Sequence, residues 1–166
     1  FRNLLHDKKI IKLIEYILDD EIQPQWSQLF NKPAKFGMKS PFHQDNYYWN
    51  LVSPNALTIW IAIDKANKKN GSLDYLLKSH KKLYKHEASY MPGSSQKLMD
   101  IKKLKKKFET KSFNLNPGDC LIHHSQVVHG SKKNLSKFNR RGFTIQLIPI
   151  KTVVDKKKFN KYQKSL

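Results

Sequence analysis

The chain has 166 residues, close to one domain at about 150 residues each and enough to bury a single core. Apolar residues make up 39% and aromatics 11%, too many for a disordered chain, and the net charge of +19 gives a cationic surface that attracts anions. The lone Cys120 excludes an internal disulfide and a zinc site built from cysteine pairs.

A single thiol fits a reducing compartment, and a cytoplasmic location is the expectation. No apolar run reaches the roughly 18 residues that a membrane-spanning helix needs. The opening FRNLLHDKK lacks the ordered charged, apolar and cleavage regions of a signal peptide. The chain begins on Phe1 rather than Met, so upstream sequence is expected.

Residues 3–18 place Leu4, Leu5, Ile11, Ile14 and Leu18 at helical spacing with Lys and Asp between them, which predicts an amphipathic helix. Pro24 stops anything helical. Short segments rich in β-branched and aromatic residues follow, separated by Gly, Pro, Asn and Ser. They predict strands at 25–30, 42–49, 57–63, 72–77, 112–115, 119–123, 125–129 and 140–149. Eight short strands suit a mainly β fold with flanking helices, a double-stranded β-helix or jelly roll, formed by residues 1–166 as one domain.

Asn70-Gly71 and Asn116-Pro117-Gly118-Asp119 read as turns that launch strands, glycine supplying a positive φ. Between 80 and 111 the β pattern lapses into a basic insertion, and loops of that length are functional or disordered. Its KKLKKK run at 102–107 reads as a solvated face. The basic tail from Lys151 onward reads as a frayed helix.

The chemistry concentrates in His43-Gln44-Asp45, in His129 within HHSQVVHGS, and in Arg140. On a strand, residues i and i+2 project to one face, so His43 and Asp45 can aim an imidazole and a carboxylate at one point, with a third ligand from another strand. Two histidines and a carboxylate leave three octahedral positions open, as in non-haem Fe(II) oxygenases. Zinc enzymes use similar sets, so the triad alone does not select the metal. His-x-Asp alone is common by chance; the ordered set with a later His and Arg is not. An arginine fork grips a carboxylate through two parallel hydrogen bonds, which a dicarboxylic cosubstrate requires. His123 and His124 are neighbours that point oppositely on a strand, so at least one is a bystander. His80 and His86 fall in the insertion and read as exposed rather than ligating.

The segments FHQDNYYW (42–49), LTIWIAIDKANKKNGSL (57–73) and NPGDCLIHHSQVVHGSKKN (116–134), with the RR pair at 140–141, make residues 26–150 resemble the phytanoyl-CoA dioxygenase family of Fe(II)- and 2-oxoglutarate-dependent oxygenases. The resemblance implies iron held by His43, Asp45 and His129, and Arg140 pairing the distal carboxylate of 2-oxoglutarate. Ser131 matches the family's hydroxyl partner for that carboxylate, and Gln44 and Trp60 match positions lining the cosubstrate pocket. It also implies Fe(II), 2-oxoglutarate and O2 as cofactor and cosubstrates, with succinate and CO2 released as a small organic substrate is hydroxylated. Related halogenases replace the carboxylate with a small residue, so Asp45 favours hydroxylation. The family often has Gly-Ser-His where this chain reads Lys78-Ser79-His80, which predicts a different local bend.

Strand alternation puts Arg140, Gly142, Thr144 and Gln146 on one face of 140–149 and Arg141, Phe143, Ile145 and Leu147 on the other. Spacing from His129 favours Arg140 as the inward arginine. Trp60 serves either the core or the pocket, and Tyr47, Tyr48 and Trp49 either a wall beside the iron or the core. The cationic charge favours an anionic small-molecule substrate. A nucleic-acid substrate would exploit the same charge, but the aromatics are not interleaved with the lysines as a stacking platform needs. A binding protein without catalysis is the remaining alternative, opposed by the complete ligand set.

Overall fold

A computed structural model of the protein describes residues 2–91 and 94–164. Asp7 divides the expected N-terminal helix into α1 (Arg2–Leu5) and α2 (Lys8–Leu18). Its carboxylate accepts the backbone N–H groups of Lys9 at 2.8 Å and Ile10 at 3.3 Å, capping α2. The single helix over 3–18 is thereby corrected to two. Ile14 of α2 is fully buried against Ile22, Leu57, Ile59, Phe143, Ile145 and Leu147.

The chain continues through β1 (Ile22–Lys32), β2 (Ser40–His43), α3 (Asp45–Trp49), β3 (Leu57–Ala62), β4 (Leu73–Leu76) and a 3₁₀ turn at Ser79–Lys81. Then follow β5 (His86–Met91), β6 (Ser94–Leu98), α4 (Ile101–Lys107), β7 (Thr110–Ser112), β8 (Cys120–His124), β9 (His129–Ser131), β10 (Arg140–Pro149) and α5 (Lys156–Gln163). Two antiparallel four-stranded sheets form, ordered β1-β10-β3-β8 and β2-β9-β4-β7, beside the β5-β6 hairpin. Trp60 and Ala62 of β3 pack on Leu73 and Tyr75 of β4, closing one sheet on the other as a jelly roll, the expected fold class.

Three expectations about elements are corrected. The strand at 42–49 ends at His43; Gln44 is extended (φ −126°, ψ 130°) and the chain then coils into α3, closed by Asn50 in the left-handed region. The strand at 125–129 is instead the connection from β8, and His129 opens β9 rather than ending a strand. The segment 80–111 holds a hairpin and a helix. Leu104 of α4 is buried with Leu76, Leu98 and Val128, so the lysines of KKLKKK surround a one-sided anchor. In Lys78-Ser79-His80, Lys78 takes the left-handed region (φ 62°), which costs a side chain more than it costs glycine. Among the described residues, no helix is long and apolar enough to cross a membrane.

Candidate metal centre and cosubstrate cavity

Pairing of β2 with β9 sets His43 opposite His129, and their ring centroids lie 4.4 Å apart. The extended Gln44 returns Asp45 to the side of His43 although Asp45 already starts α3. Asp45 Oδ1 lies 3.6 Å from Nε2 of both His43 and His129. The ligand atoms of the three residues all fall within 4.8 Å of one another.

Each ring is oriented by a backbone carbonyl. His43 Nδ1 lies 2.8 Å from the Pro41 carbonyl and His129 Nδ1 3.1 Å from that of Val127. Because a carbonyl only accepts, Nδ1 carries the proton and Nε2 presents its lone pair to the centre. Asp45 Oδ2 is held by the Thr58 hydroxyl, which donates at 2.7 Å, and by His123 Nε2 at 3.3 Å. His123 Nδ1 in turn lies 3.0 Å from the Tyr75 hydroxyl. Oδ2 is thus occupied and Oδ1 is left for a metal.

Electrostatics prepare the same donors. Burial, with His129 nearby, lowers the His43 pKa to about 4, and burial also lowers His129. Both imidazoles are neutral at neutral pH. Burial alone would raise the Asp45 carboxyl, but His129, His123 and His43 together hold it well below the ordinary carboxylate range. Two neutral nitrogens and an ionised oxygen are what a divalent cation requires.

The centre opens into a cavity of about 950 Å³. Arg140, at 2% exposure, lines it at the β10 end; its Nη2 donates to the Gly71 carbonyl at 2.9 Å, while its Nε has no partner. The buried Ser131 Oγ, two residues beyond His129, is also without a partner. Such orphaned donors beside a cavity fit a ligand carboxylate. Trp60 lines the cavity with the Arg140 guanidinium 5.3 Å from its ring, and it also belongs to the core between the sheets. Gly142 makes room for it: a Cβ there would overlap the indole. Arg141 points outward to the exposed ion pair with Asp64 at 2.9 Å.

Other segments complete the lining, among them the exposed Phe30, Phe36 and Met38 around the β1-β2 connection. Tyr48 of α3, Ser94 and Ser95 of β6, and Tyr162 of α5 also line the cavity. Tyr162 lies edge-on to Tyr48, with centroids 5.8 Å apart.

Gln44 departs from the expected pocket role. Alternation turns it away from the ligands into full burial, where Nε2 donates to the Lys82 and Gln126 carbonyls and Oε1 accepts the Tyr84 N–H at 2.7 Å. It ties the insertion to the scaffold and does not line the cavity. His86, expected to be exposed, is partly buried: it stacks on Tyr47 at 4.0 Å and lies 3.2 Å from the Gln44 N–H. His80 is exposed. Thr58 and Lys32 were not singled out by the sequence. A threonine on the Trp60 side of the apolar LTIWIAI was the readable signal for Thr58; Lys32 was one cation among many.

Two histidines and a carboxylate on a jelly roll, beside a buried guanidinium, make a candidate metal centre of the facial-triad kind. Residues 1–142 match the phytanoyl-CoA dioxygenase family, and the chain belongs to it. It is 27% identical over 142 residues to peroxisomal phytanoyl-CoA dioxygenase of Bos taurus, covering 82% of this chain and 42% of that protein. It is 28% identical over 144 residues to a probable alpha-ketoglutarate-dependent hypophosphite dioxygenase of Stutzerimonas stutzeri, covering 84% and 49%. The chain spans about half the length of these curated relatives. Among solved structures, EctD from S. alaskensis with 2-oxoglutarate and 5-hydroxyectoine has a TM-score of 0.77 at 19% identity, covering 90% of this chain and 52% of that chain. The carbocyclase SnoK from nogalamycin biosynthesis also has 0.77, at 18% identity, covering 92% and 60%. These two likenesses are of fold.

Proposed function

We propose that the protein is an Fe(II)- and 2-oxoglutarate-dependent dioxygenase that hydroxylates a small organic substrate. The observation that carries this reading is one cavity shared by His43 Nε2, His129 Nε2 and Asp45 Oδ1 with the orphaned Arg140 Nε and Ser131 Oγ. Iron(II) with 2-oxoglutarate and O2 supplies the oxidising power, and succinate and CO2 are released.

His43, Asp45 and His129 would hold the iron. The Arg140 guanidinium keeps its charge, with a pKa lowered by burial only to about 10, and would grip the distal carboxylate; Ser131 would donate its hydroxyl to the same group. Trp60, buried beside the Arg140 guanidinium, would give the cosubstrate an apolar wall. Thr58 and His123 keep Asp45 turned so that one oxygen serves the metal. Retention of a carboxylate at Asp45 supports hydroxylation rather than halogenation.

An anionic substrate is part of the proposal, because the chain carries a net charge of +19, and Lys39 lines the cavity in addition to the cations given to the cosubstrate. We further propose that the chain works as one domain in the cytoplasm, where the exposed free Cys120 stays reduced.

The test is anaerobic 2-oxoglutarate binding to the iron-loaded protein, followed by succinate release across small anionic and neutral substrates. Iron-dependent succinate formation that Asp45→Ala abolishes supports the reading. Absence of 2-oxoglutarate binding to the iron-loaded protein overturns it.

A further inference from the structure

Lys32 and Arg140 are Cα partners across β1 and β10, at 6% and 2% exposure, and both line the cavity. Neither has a carboxylate within ion-pair distance among the described residues. A second charge buried beside Arg140 without a counter-charge is costly unless an anion joins the pair. Lys32 Nζ donates to the Met38 carbonyl and, at 3.1 Å, to that of Lys132, the residue after Ser131. Gly71, whose carbonyl receives Arg140, lies against the Lys32 stem: a Cβ there would stand 3.2 Å from Lys32 Cδ. Lys32, Arg140, Ser131 and the Gly71 turn therefore converge at one end of the cavity.

We infer that Lys32 is a second cationic contact for the distal carboxylate of the cosubstrate, beside Arg140, and that binding of the diacid charges it. The inference rests on the 2-oxoglutarate reading above. A neutral amine has two N–H donors, enough for the two carbonyls; only the ammonium carries a third, and that third donor is what a carboxylate takes. Burial and the neighbouring Arg140 lower the Lys32 pKa to about 7. Arg140 is the charged group facing it from β10. The loops around it contribute Gly37, Gly71 and the Met38 and Lys132 carbonyls. An anion reverses the shift, so above neutral pH the diacid draws a proton from solvent.

The experiment is anaerobic calorimetry on Mn(II)-loaded protein, with 2-oxoglutarate titrated at pH 8 in HEPES and in Tris to count protons, and repeated at pH 9. The expected result is uptake of about one proton and roughly tenfold weaker binding at pH 9 than at pH 8. Titration with 2-oxobutyrate, which lacks the distal carboxylate, should take up none. Lys32→Met should lose both the uptake and the pH dependence while binding Mn(II) as tightly as the unaltered protein. Uptake without a distal carboxylate, no uptake by the unaltered protein, or uptake that survives in Lys32→Met overturns the inference. Failure of the unaltered protein to bind 2-oxoglutarate overturns the proposed function and this inference together. Binding without uptake overturns this inference alone, and the two wild-type titrations decide it even if Lys32→Met does not fold.

Discussion

The Thr58 hydroxyl donates to Asp45 Oδ2 at 2.7 Å, on the side of the carboxylate away from the two imidazoles that approach Oδ1. The hydrogen bond therefore fixes which oxygen is offered to a metal. Thr58→Val keeps the shape and removes the donor, and it should weaken Fe(II) binding about 10- to 100-fold, the usual cost of losing a partner behind a ligand. Asp45→Ala and His129→Ala should abolish measurable binding in an anaerobic titration. Equal iron affinity in Thr58→Val would show that the hydroxyl does not orient the ligand.

Arg140 and Ser131 separate by the size of their effects on 2-oxoglutarate affinity. Truncating a buried charge partner costs about 2 to 5 kcal/mol, so Arg140→Met should lower 2-oxoglutarate affinity at least thirtyfold. Ser131→Ala removes a neutral donor worth about 1 kcal/mol, or about fivefold in affinity. Because the Ser131 hydroxyl has no partner in the free protein, its removal should leave the melting temperature unchanged or raise it. A large loss of stability on Ser131→Ala would mean that the hydroxyl is already used.

Gly142 is constrained by its neighbour rather than by its backbone. A methyl group there overlaps the Trp60 indole, and overpacking of this kind costs about 1 to 3 kcal/mol. Gly142→Ala should show that loss in urea denaturation, together with weaker 2-oxoglutarate binding as Trp60 is displaced from its place beside Arg140. Wild-type values for both would place the indole elsewhere.

Acid should destabilise the metal-free protein well above the carboxylate range. Burial lowers His43 and His86 to about 4 each, against about 6.5 in an unfolded chain. Such a group favours folding in its neutral form; its contribution is complete above about pH 6.5 and is lost as pH falls through about 4. The magnitude is roughly 3 kcal/mol per histidine. Urea midpoints measured from pH 7.5 to 4.5 should fall steadily, and His86→Phe, which keeps an aromatic ring against Tyr47, should flatten part of the slope. A constant midpoint over that range would contradict the burial of these rings.

Alternation was the most informative signal in the sequence wherever a strand was long. Along β10 it separates Arg140, buried in the cavity, from Arg141, paired with Asp64 at the surface. The same rule, applied to extended Gln44 between two inward ligands, sends its side chain the other way, which is where it lies. The aromatic run after Asp45 resembles a strand by propensity, yet it forms α3 because the chain must turn immediately behind the ligand. The β5-β6 hairpin was hidden because HEASYM and SSQKL lack apolar alternation, the inward positions of β6 being filled by Gln96 as well as Leu98. His123 was half legible: the argument that adjacent histidines diverge was sound, but which one faces Asp45 depends on the β3-β8 register, in which Thr58 pairs with His123.

The ligands and Arg140 sit on or beside paired strands, whereas part of the cavity lining comes from α3, a hairpin and α5, lying between residues 48 and 162 of the chain. Loops and appended elements accept change more readily than the scaffold beneath them. Divergence at Ser94, Ser95 and Tyr162 can therefore retune which molecule is admitted while the redox apparatus is inherited intact. A directed-evolution library confined to those positions would explore new chemistry at little risk to the ligands below.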